Sequence, residues 1–527
     1  MTRTRRTPFP RATAATAMAS AAALVAATFL GTPAAQAADG EKVPETAVVR
    51  GAPILTAGCL DRGVPLTIEE RRLVGTLPRN DDPSRLQAKP FAQQMIEGAG
   101  FQRFGPAVVA QLCGARSLAQ AQNIARVQGR LLWKAAVARA QGKPGAVRGS
   151  LPASDDRPLY WTRLQATAAF RQWQPAFAVS ATERAALITR FDRAAHGMTD
   201  IDFPTARGTK RVLMSGFDPY TLDEGETGPA AGSVGNNIRH GNPSGAIALS
   251  LDGTTYRASN GTTQVVQAYT LPVNFTEFAA GYLEDTVGPW MRPGPKRVTA
   301  SLTVSQAGGS QFNLEQFNAR YHGTFPGNDL SLPCQLIGDV AQKAIDSPGC
   351  NTEVVPRWGG RGEFDVRNPP QWTTASLPIA AMIRARTGRD VPRPPGDTWP
   401  DRSVAFGVVW NTSFTEFPSC ASSVRRSVNT PAPVAYPPAK APTAPSARGC
   451  SYSGGGGNYL SNESAYRNTL LRDRFGLTIP AGHIHTPGMQ VFDRGNRFDV
   501  TDRTFDAWRR AIVAQTQQLV HVVGAES

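Results

Sequence analysis

Ser461, His485 and Glu315 are the residues of this 527-residue chain whose types and settings could run a hydrolytic reaction. Ser461 closes the run Gly454-Gly-Gly-Gly-Asn-Tyr-Leu-Ser461, and residues 462–474 behind it carry apolar side chains at helical spacing. Its hydroxyl therefore falls at a helix N-terminus, where unpaired backbone N–H groups and the positive dipole end favour developing negative charge. His485, in His483-Ile-His485-Thr-Pro487, is a general base suited to neutral pH. A carboxylate such as Glu315 can orient that imidazole and stabilise its cation. A serine at a helix start is by itself an ordinary N-cap, so the three residue types carry weight only together. His483 is assigned to the opposite face of its strand, as a packing residue. His196, His240, His322 and His521 have no metal-ligand spacing, and neither a metal nor another cofactor is expected.

Such a set needs rigid elements to hold it. From about residue 206 onward, short β-branched runs at 211–215, 265–273, 298–304 and 404–409 are interleaved with or followed by amphipathic stretches at 377–386, 462–474 and 505–523. That alternation predicts a three-layer α/β/α domain over 206–527, its sheet mostly parallel, with active-site loops beyond the carboxyl ends of the strands. Residues 38–205 read instead as a mainly helical domain. Capping boxes at Thr67-x-x-Glu70 and Ser180-x-x-Glu183 open two helices, the second reaching about His196 before Gly197. Helical spacing also covers 91–96, 107–113 and 118–140.

Three strand-end loops carry further motifs, and in order they resemble the pyroglutamyl peptidase I (pyrrolidone-carboxylate peptidase) family. The turn Gly216-Phe217-Asp218-Pro219-Tyr220, then Asn242-Pro243-Ser244, Leu271-Pro-Val273, Gln306-Ala-Gly-Gly309, Leu377-Pro-Ile379 and Ile484-His485-x-Pro487 are similar to family segments, and Glu315 falls at the catalytic glutamate with a one-residue slip. The resemblance spans about 207–500. It implies an α/β/α fold, a peptide or small amide substrate, and Ser461, His485 and Glu315 as the catalytic set. It also implies that Phe217, Tyr220, Gln306, Tyr459 and Leu460 contact the substrate ring. The family's arginine after the glutamate has three candidates, Arg320, Arg357 and Arg361. One departure matters: the family's nucleophile is a cysteine, whereas Gly457-Asn-Tyr-Leu-Ser461-Asn462 carries a hydroxyl. A thiol ionises near pH ~8.5 and lower beside a helix N-terminus. A serine must instead lose its proton to an aligned base during attack.

The remaining composition sets the compartment. Lys+Arg 56 against Asp+Glu 41 gives a net charge of +15, with 18% charged and 41% hydrophobic residues, which excludes wholesale disorder. Arg3, Arg5, Arg6 and Arg11, the apolar stretch 12–30 and Ala35-Gln36-Ala37 form a secretory signal peptide over 1–37, with cleavage near Ala37; the Arg5-Arg6 pair leaves a twin-arginine route open. The mature chain is expected to be secreted, without a membrane span. Its positive charge serves solubility or attraction to anionic cell surfaces, with no nucleic-acid partner. Six cysteines in an exported chain predict disulfides, most simply Cys59–Cys113, Cys334–Cys350 and Cys420–Cys450. The last pair brackets a Pro/Ala tract at 430–446 inside an insertion at 414–453, expected to be an extended, stapled surface loop. Cys420 itself, after Phe417-Pro-Ser, is a competing nucleophile. The expected function is removal of an N-terminal pyroglutamyl or related group through Ser461; the alternative is an inactive module that binds modified peptide N-termini or cell-surface material.

Overall fold

The run Lys210–Phe217 (β1) is buried along its whole length after the first residue, the pattern of an interior strand covered on both faces. The computed structural model describes residues 54–527 other than 221–235, 259–260, 322, 324, 331–361, 365, 367–368, 431–435 and 490. The strands that follow are β2 (Thr255–Arg257), β3 (Thr263–Leu271), β4 (Ala300–Gln306), β5 (Gln311–Glu315), β6 (Phe317–Ala319) and β7 (Trp372–Thr374). After them come β8 (Gly407–Asn411), β9 (Phe414–Phe417), β10 (Arg426–Val428), β11 (Cys450–Ser453) and β12 (Ala481–Thr486). Seven join in one sheet, in the order β2-β3-β1-β4-β12-β5-β8. β3, β1, β4 and β12 are parallel neighbours, while β5 runs antiparallel to β12 and parallel to β8. The fold is thus the expected mixed α/β class with a mostly parallel sheet.

Period-two alternation splits the sheet's side chains between two cores. Val212 and Met214 enter one cluster, and Leu213 and Phe217 enter the other. The helices, in chain order, are α1 (Ile68–Arg71), α2 (Phe91–Ala99), α3 (Phe104–Cys113), α4 (Leu118–Ala140), α5 (Arg157–Gln172), α6 (Ala181–Ala195) and α7 (Pro243–Leu251). They continue with α8 (Phe275–Ala279), α9 (Tyr282–Met291), α10 (Ile379–Arg384), α11 (Leu460–Arg474) and α12 (Arg503–Ala525). The first core takes residues of α7 and α12 and extends without a break through Phe91, Trp133 and Trp161 of the helical region; the second takes residues of α9 and α11. The change of texture near 205 therefore separates two kinds of structure within one compact unit, 48–527.

Both capping boxes form as read, at Thr67/Glu70 and Ser180/Glu183. Helix α5 had no sequence signal because it is buried on nearly every side, which erases the amphipathic period. Its arginines are tied instead. Arg163 bridges Asp192 of α6 (2.5 Å) and Asp218 (2.6 Å), and His196 Nε2 lies 3.0 Å from Asp218 Oδ2. Burial alone would lower the pKa of His196, but the carboxylates of Asp192 and Asp218 outweigh it and push it up to about 10. The aspartate of the Gly-Phe-Asp-Pro-Tyr turn thus fastens the helical region to the sheet.

The insertion at 414–453 is stapled by Cys420–Cys450 as expected, but it carries strands of its own besides an extended loop. β10, β9 and β11 form a three-stranded antiparallel sheet. Buried Glu416 holds the Pro/Ala tract to it by accepting from Ser446 N (2.8 Å) and Ser446 Oγ (2.7 Å). Two disulfides match the expected pairing, Cys59–Cys113 and Cys420–Cys450. Cys334 and Cys350 lie outside the described residues, as do the 1–37 segment, Arg357 and Arg361. Among the described residues no helix is long and apolar enough to cross a membrane.

Candidate active site

β12 carries His485 one residue from its end, directly opposite Asn313 of β5. Glu315 ends β5 and stands diagonal to His485, a separation that a long side chain spans across antiparallel strands. Its Oε1 accepts from His485 Nδ1 at 2.8 Å. Oε2 accepts from Asn411 Nδ2 at 2.8 Å, and the same amide donates to the Gly455 carbonyl at 3.1 Å. Asn411 arrives because β8 pairs with β5 in the register Glu315↔Asn411. The carboxylate is fully buried, and His485 is 7% exposed.

The glycine run before Ser461 lets the backbone approach this pair. Gly454 and Gly457 exchange backbone hydrogen bonds of 2.9 and 3.0 Å, and Gly457 takes φ +81°. At Gly455 a Cβ would stand 1.9 Å from Glu315 Oε2. The place where a Gly456 Cβ would stand is 3.3 Å from His485 Cε1 and 3.4 Å from Asn462 N, so Gly456 lies close to both the imidazole and the start of α11. That helix has no side-chain N-cap at Tyr459, and its first backbone bond is Glu463 N to Tyr459 O at 3.0 Å. The N–H groups of Leu460, Ser461 and Asn462 therefore have no intrahelical acceptor. Asn462 pins the turn through Ala319, with its amide donating to the carbonyl (2.7 Å) and accepting from the N–H (2.8 Å).

Ser461 stands second in α11 and is partly exposed. Among the described residues its Oγ bonds to Ser305 Oγ (2.8 Å) rather than to His485. Ser305 carries no sequence signal, and His483 lies on the same face as His485, not the opposite one. Residues two apart on a strand share a face, and the His483 and His485 rings lie 4.6 Å apart, nearly perpendicular. That signal was present in the spacing itself. Asn411 had none, because a strand pairing brings it in.

The five residues expected at the substrate ring divide. Phe217 (2% exposed) and Leu460 (1%) are core residues, with Phe217 stacked on Phe278 at 6.2 Å. Both belong to the second core. Tyr220 and Tyr459 remain partly exposed. Tyr459 sits edge-on to Phe275 and Phe325, and its hydroxyl donates to the Pro326 carbonyl at 2.9 Å. Gln306 donates to Tyr220 Oη (2.7 Å) and accepts from Met489 N (3.0 Å), which spends its amide on the surrounding loops. Arg320, the one arginine candidate among the described residues, donates to the Pro369 carbonyl at 2.8 Å.

Cys420 is bonded to Cys450, which removes it as a nucleophile, and no described cysteine is free. Cys450 opens β11, which runs directly into the Gly454–Gly457 turn. The bridge closes a sequence separation of 30 residues, which chain-entropy estimates value at roughly 3–4 kcal/mol. Reduction should therefore lower any activity at Ser461. Activation by dithiothreitol would contradict this and point to a catalytic thiol.

A mixed α/β protein with a mostly parallel sheet thus holds a buried Glu–His pair where β5 meets β12, inside the sheet, on the same chain as a serine at a helix start without a side-chain cap. The chain belongs to the PA0049 family, its residues 50–192 matching the PA0049 N-terminal domain and 211–490 the PA0049 C-terminal domain. It is 41% identical over 504 residues to the uncharacterized protein PA0049 of Pseudomonas aeruginosa, spanning 88% of this chain and 90% of that one. Among solved structures it is similar to a mutant pyrrolidone carboxyl peptidase of Pyrococcus furiosus at 16% identity and TM-score 0.32, covering 60% of this chain and 98% of that one. Similarity to the pyroglutamyl peptidase I of Bacillus amyloliquefaciens has 16% identity and TM-score 0.30, covering 60% and 97%.

Proposed function

We propose that the protein is an exported hydrolase of pyroglutamyl-peptidase type, which removes an N-terminal pyroglutamyl or related acyl group by way of an acyl-serine. The observation that carries this reading is the 2.8 Å bond between His485 Nδ1 and the buried Glu315 carboxylate, set beside an uncapped helix start. With Nδ1–H donated to Glu315, His485 Nε2 is the basic nitrogen and takes the proton of Ser461 as its Oγ attacks the scissile carbonyl. The N–H groups at the start of α11 stabilise the oxyanion. His485 then passes the proton to the leaving amine, and water, activated by the same nitrogen, releases the acyl group and regenerates Ser461. Tyr220 and Tyr459 offer the partly apolar surface that a small neutral lactam requires. Export is supported by the 1–37 segment and by two disulfides.

The test is fluorophore release from pyroglutamyl-, prolyl- and alanyl-amides by the purified mature protein, together with fluorophosphonate trapping. Pyroglutamyl release should dominate, and Ser461→Ala should abolish both release and labelling. Among the described residues Ser461 Oγ makes no bond to His485, which favours a second reading, a binding module for modified peptide N-termini. Pyroglutamyl-peptide binding with neither turnover nor labelling would select it.

A further inference from the structure

Ser461 is approached by a second line of polar side chains that the Glu315–His485 pair does not use. β4 and β12 lie in parallel register, His483 opposite Thr303 and His485 opposite Ser305. All four side chains project on the face that α11 covers, where Ser301 Oγ donates to Asn468 Oδ1 at 2.6 Å and Ser305 Oγ donates to Ser461 Oγ at 2.8 Å. His483 is held at both nitrogens, with Thr303 Oγ1 2.7 Å from Nδ1 and Ser305 Oγ 2.8 Å from Nε2.

Proton counting fixes the directions. A hydroxyl has one proton to give. Ser305 gives its proton to Ser461, so it accepts from His483, and Nε2 must carry the hydrogen. Burial, with His485 beside it, holds the His483 pKa well below its usual value, so the ring is neutral and has a single N–H. Nδ1 is then the acceptor, and Thr303 donates to it.

We propose that His483 and Ser305 are a positioning pair for Ser461: the Nε2–H tautomer of His483 obliges Ser305 to donate to Ser461 Oγ, so that the proton of Ser461 itself is offered to His485. The inference rests on the reading of Ser461 as nucleophile and explains how an alcohol is served there. A thiolate forms ahead of attack, whereas a serine oxygen gains charge during it. A donor already aimed at that oxygen stabilises the charge as it grows and stops the hydroxyl from rotating. Ser305 keeps its proton throughout, and the transferred proton still travels from Ser461 to His485 and on to the leaving group.

The test combines a spectroscopic and a kinetic measurement on the full mature protein. With ¹⁵N-labelled histidine at neutral pH, His483, assigned by its loss in His483→Asn, should show a protonated Nε2 and an unprotonated Nδ1. Ser305→Ala should slow fluorophosphonate labelling of Ser461 about ten- to hundredfold, the worth of one hydrogen bond to a charged group. It should also lower kcat on pyroglutamyl amides while leaving KM nearly unchanged. A protonated Nδ1 overturns the proposal whether or not the protein is active, because Ser305 would then point at His483. Ser305→Ala labelling as fast as wild type overturns the positioning role. If wild type does not label at all, the hydrolase reading fails, and the tautomer alone decides the Ser305 bond.

Discussion

Glu315→Gln should lower kcat on pyroglutamyl amides by about 10³–10⁴-fold while leaving the protein folded, the scale on which a triad carboxylate acts. The two carboxylate oxygens each accept one bond, from His485 Nδ1 and from Asn411 Nδ2. A glutamine can place its oxygen toward only one of them. With its oxygen on His485, its NH₂ faces the NH₂ of Asn411, a buried donor–donor contact. With its oxygen on Asn411, its NH₂ faces His485 and stabilises the tautomer whose Nε2 already carries a proton. That tautomer cannot accept from Ser461. Gly455→Ala should reproduce most of the loss without touching the carboxylate chemically. Its Cβ would stand 1.9 Å from Glu315 Oε2, and the backbone there is held by Gly455 N donating to the Phe317 carbonyl at 3.0 Å. The carboxylate must give way, and an overpacked site of this kind also destabilises by about 1–3 kcal/mol. Turnover above a tenth of wild type in Glu315→Gln would sink the role of the pair.

The sequence already carried much of this site, and the exceptions have physical causes. Helical spacing put a helix at 462–474, and α11 begins two residues earlier, with Ser461 at its start. The runs near 211, 265 and 300 are the parallel strands that lie side by side at the sheet centre. Local pattern is informative there because each run is interior and flanked by turns. What stayed hidden depends on long-range pairing. β5 inserts antiparallel between β12 and β8, and only that arrangement brings Glu315 to His485 and Asn411 to Glu315. Helix α5 was silent because a helix buried all round has no polar face to mark its period. The placement of His483 is legible in the spacing, since residues two apart on a strand share a face, and its ring lies 4.6 Å from that of His485. Phe217 and Leu460 matched family positions in type, yet the second core takes them.

Asp156→Asn should stabilise the protein, by more at alkaline than at acid pH. Asp156 precedes α5 as its N-cap, where an aspartate ordinarily accepts from the N–H groups of the first turn. Here the second helical residue is Pro158, which has no N–H, and the Leu159 N–H goes to the Asp156 carbonyl at 3.0 Å. Neither carboxylate oxygen has a hydrogen-bond partner among the described residues, and the side chain lies in a small cavity with Tyr160, Asp218 and Thr270. Burial, and then the charge of Asp155, raise its pKa to about 7, against the pull of Arg509 and Arg157. Asp155 takes the bonds instead, from Arg157 Nη2 at 2.6 Å and Nε at 2.9 Å. The sign follows from proton uptake. Between the unfolded value near ~3.9 and the folded value, the native state holds a proton that the unfolded state has released. The contribution of this group to stability is therefore greatest below the unfolded pKa, falls as pH rises to about 7, and is flat beyond. The loss across that window is about 4 kcal/mol at ~1.36 kcal/mol per pKa unit. An asparagine has no such dependence, so its advantage in urea unfolding should be about 3 kcal/mol larger at pH ~8 than at pH ~4.5. An equal gain at both pH values, or a loss at pH ~8, would mean that Asp156 is ionised and paired with Arg509 in the native protein.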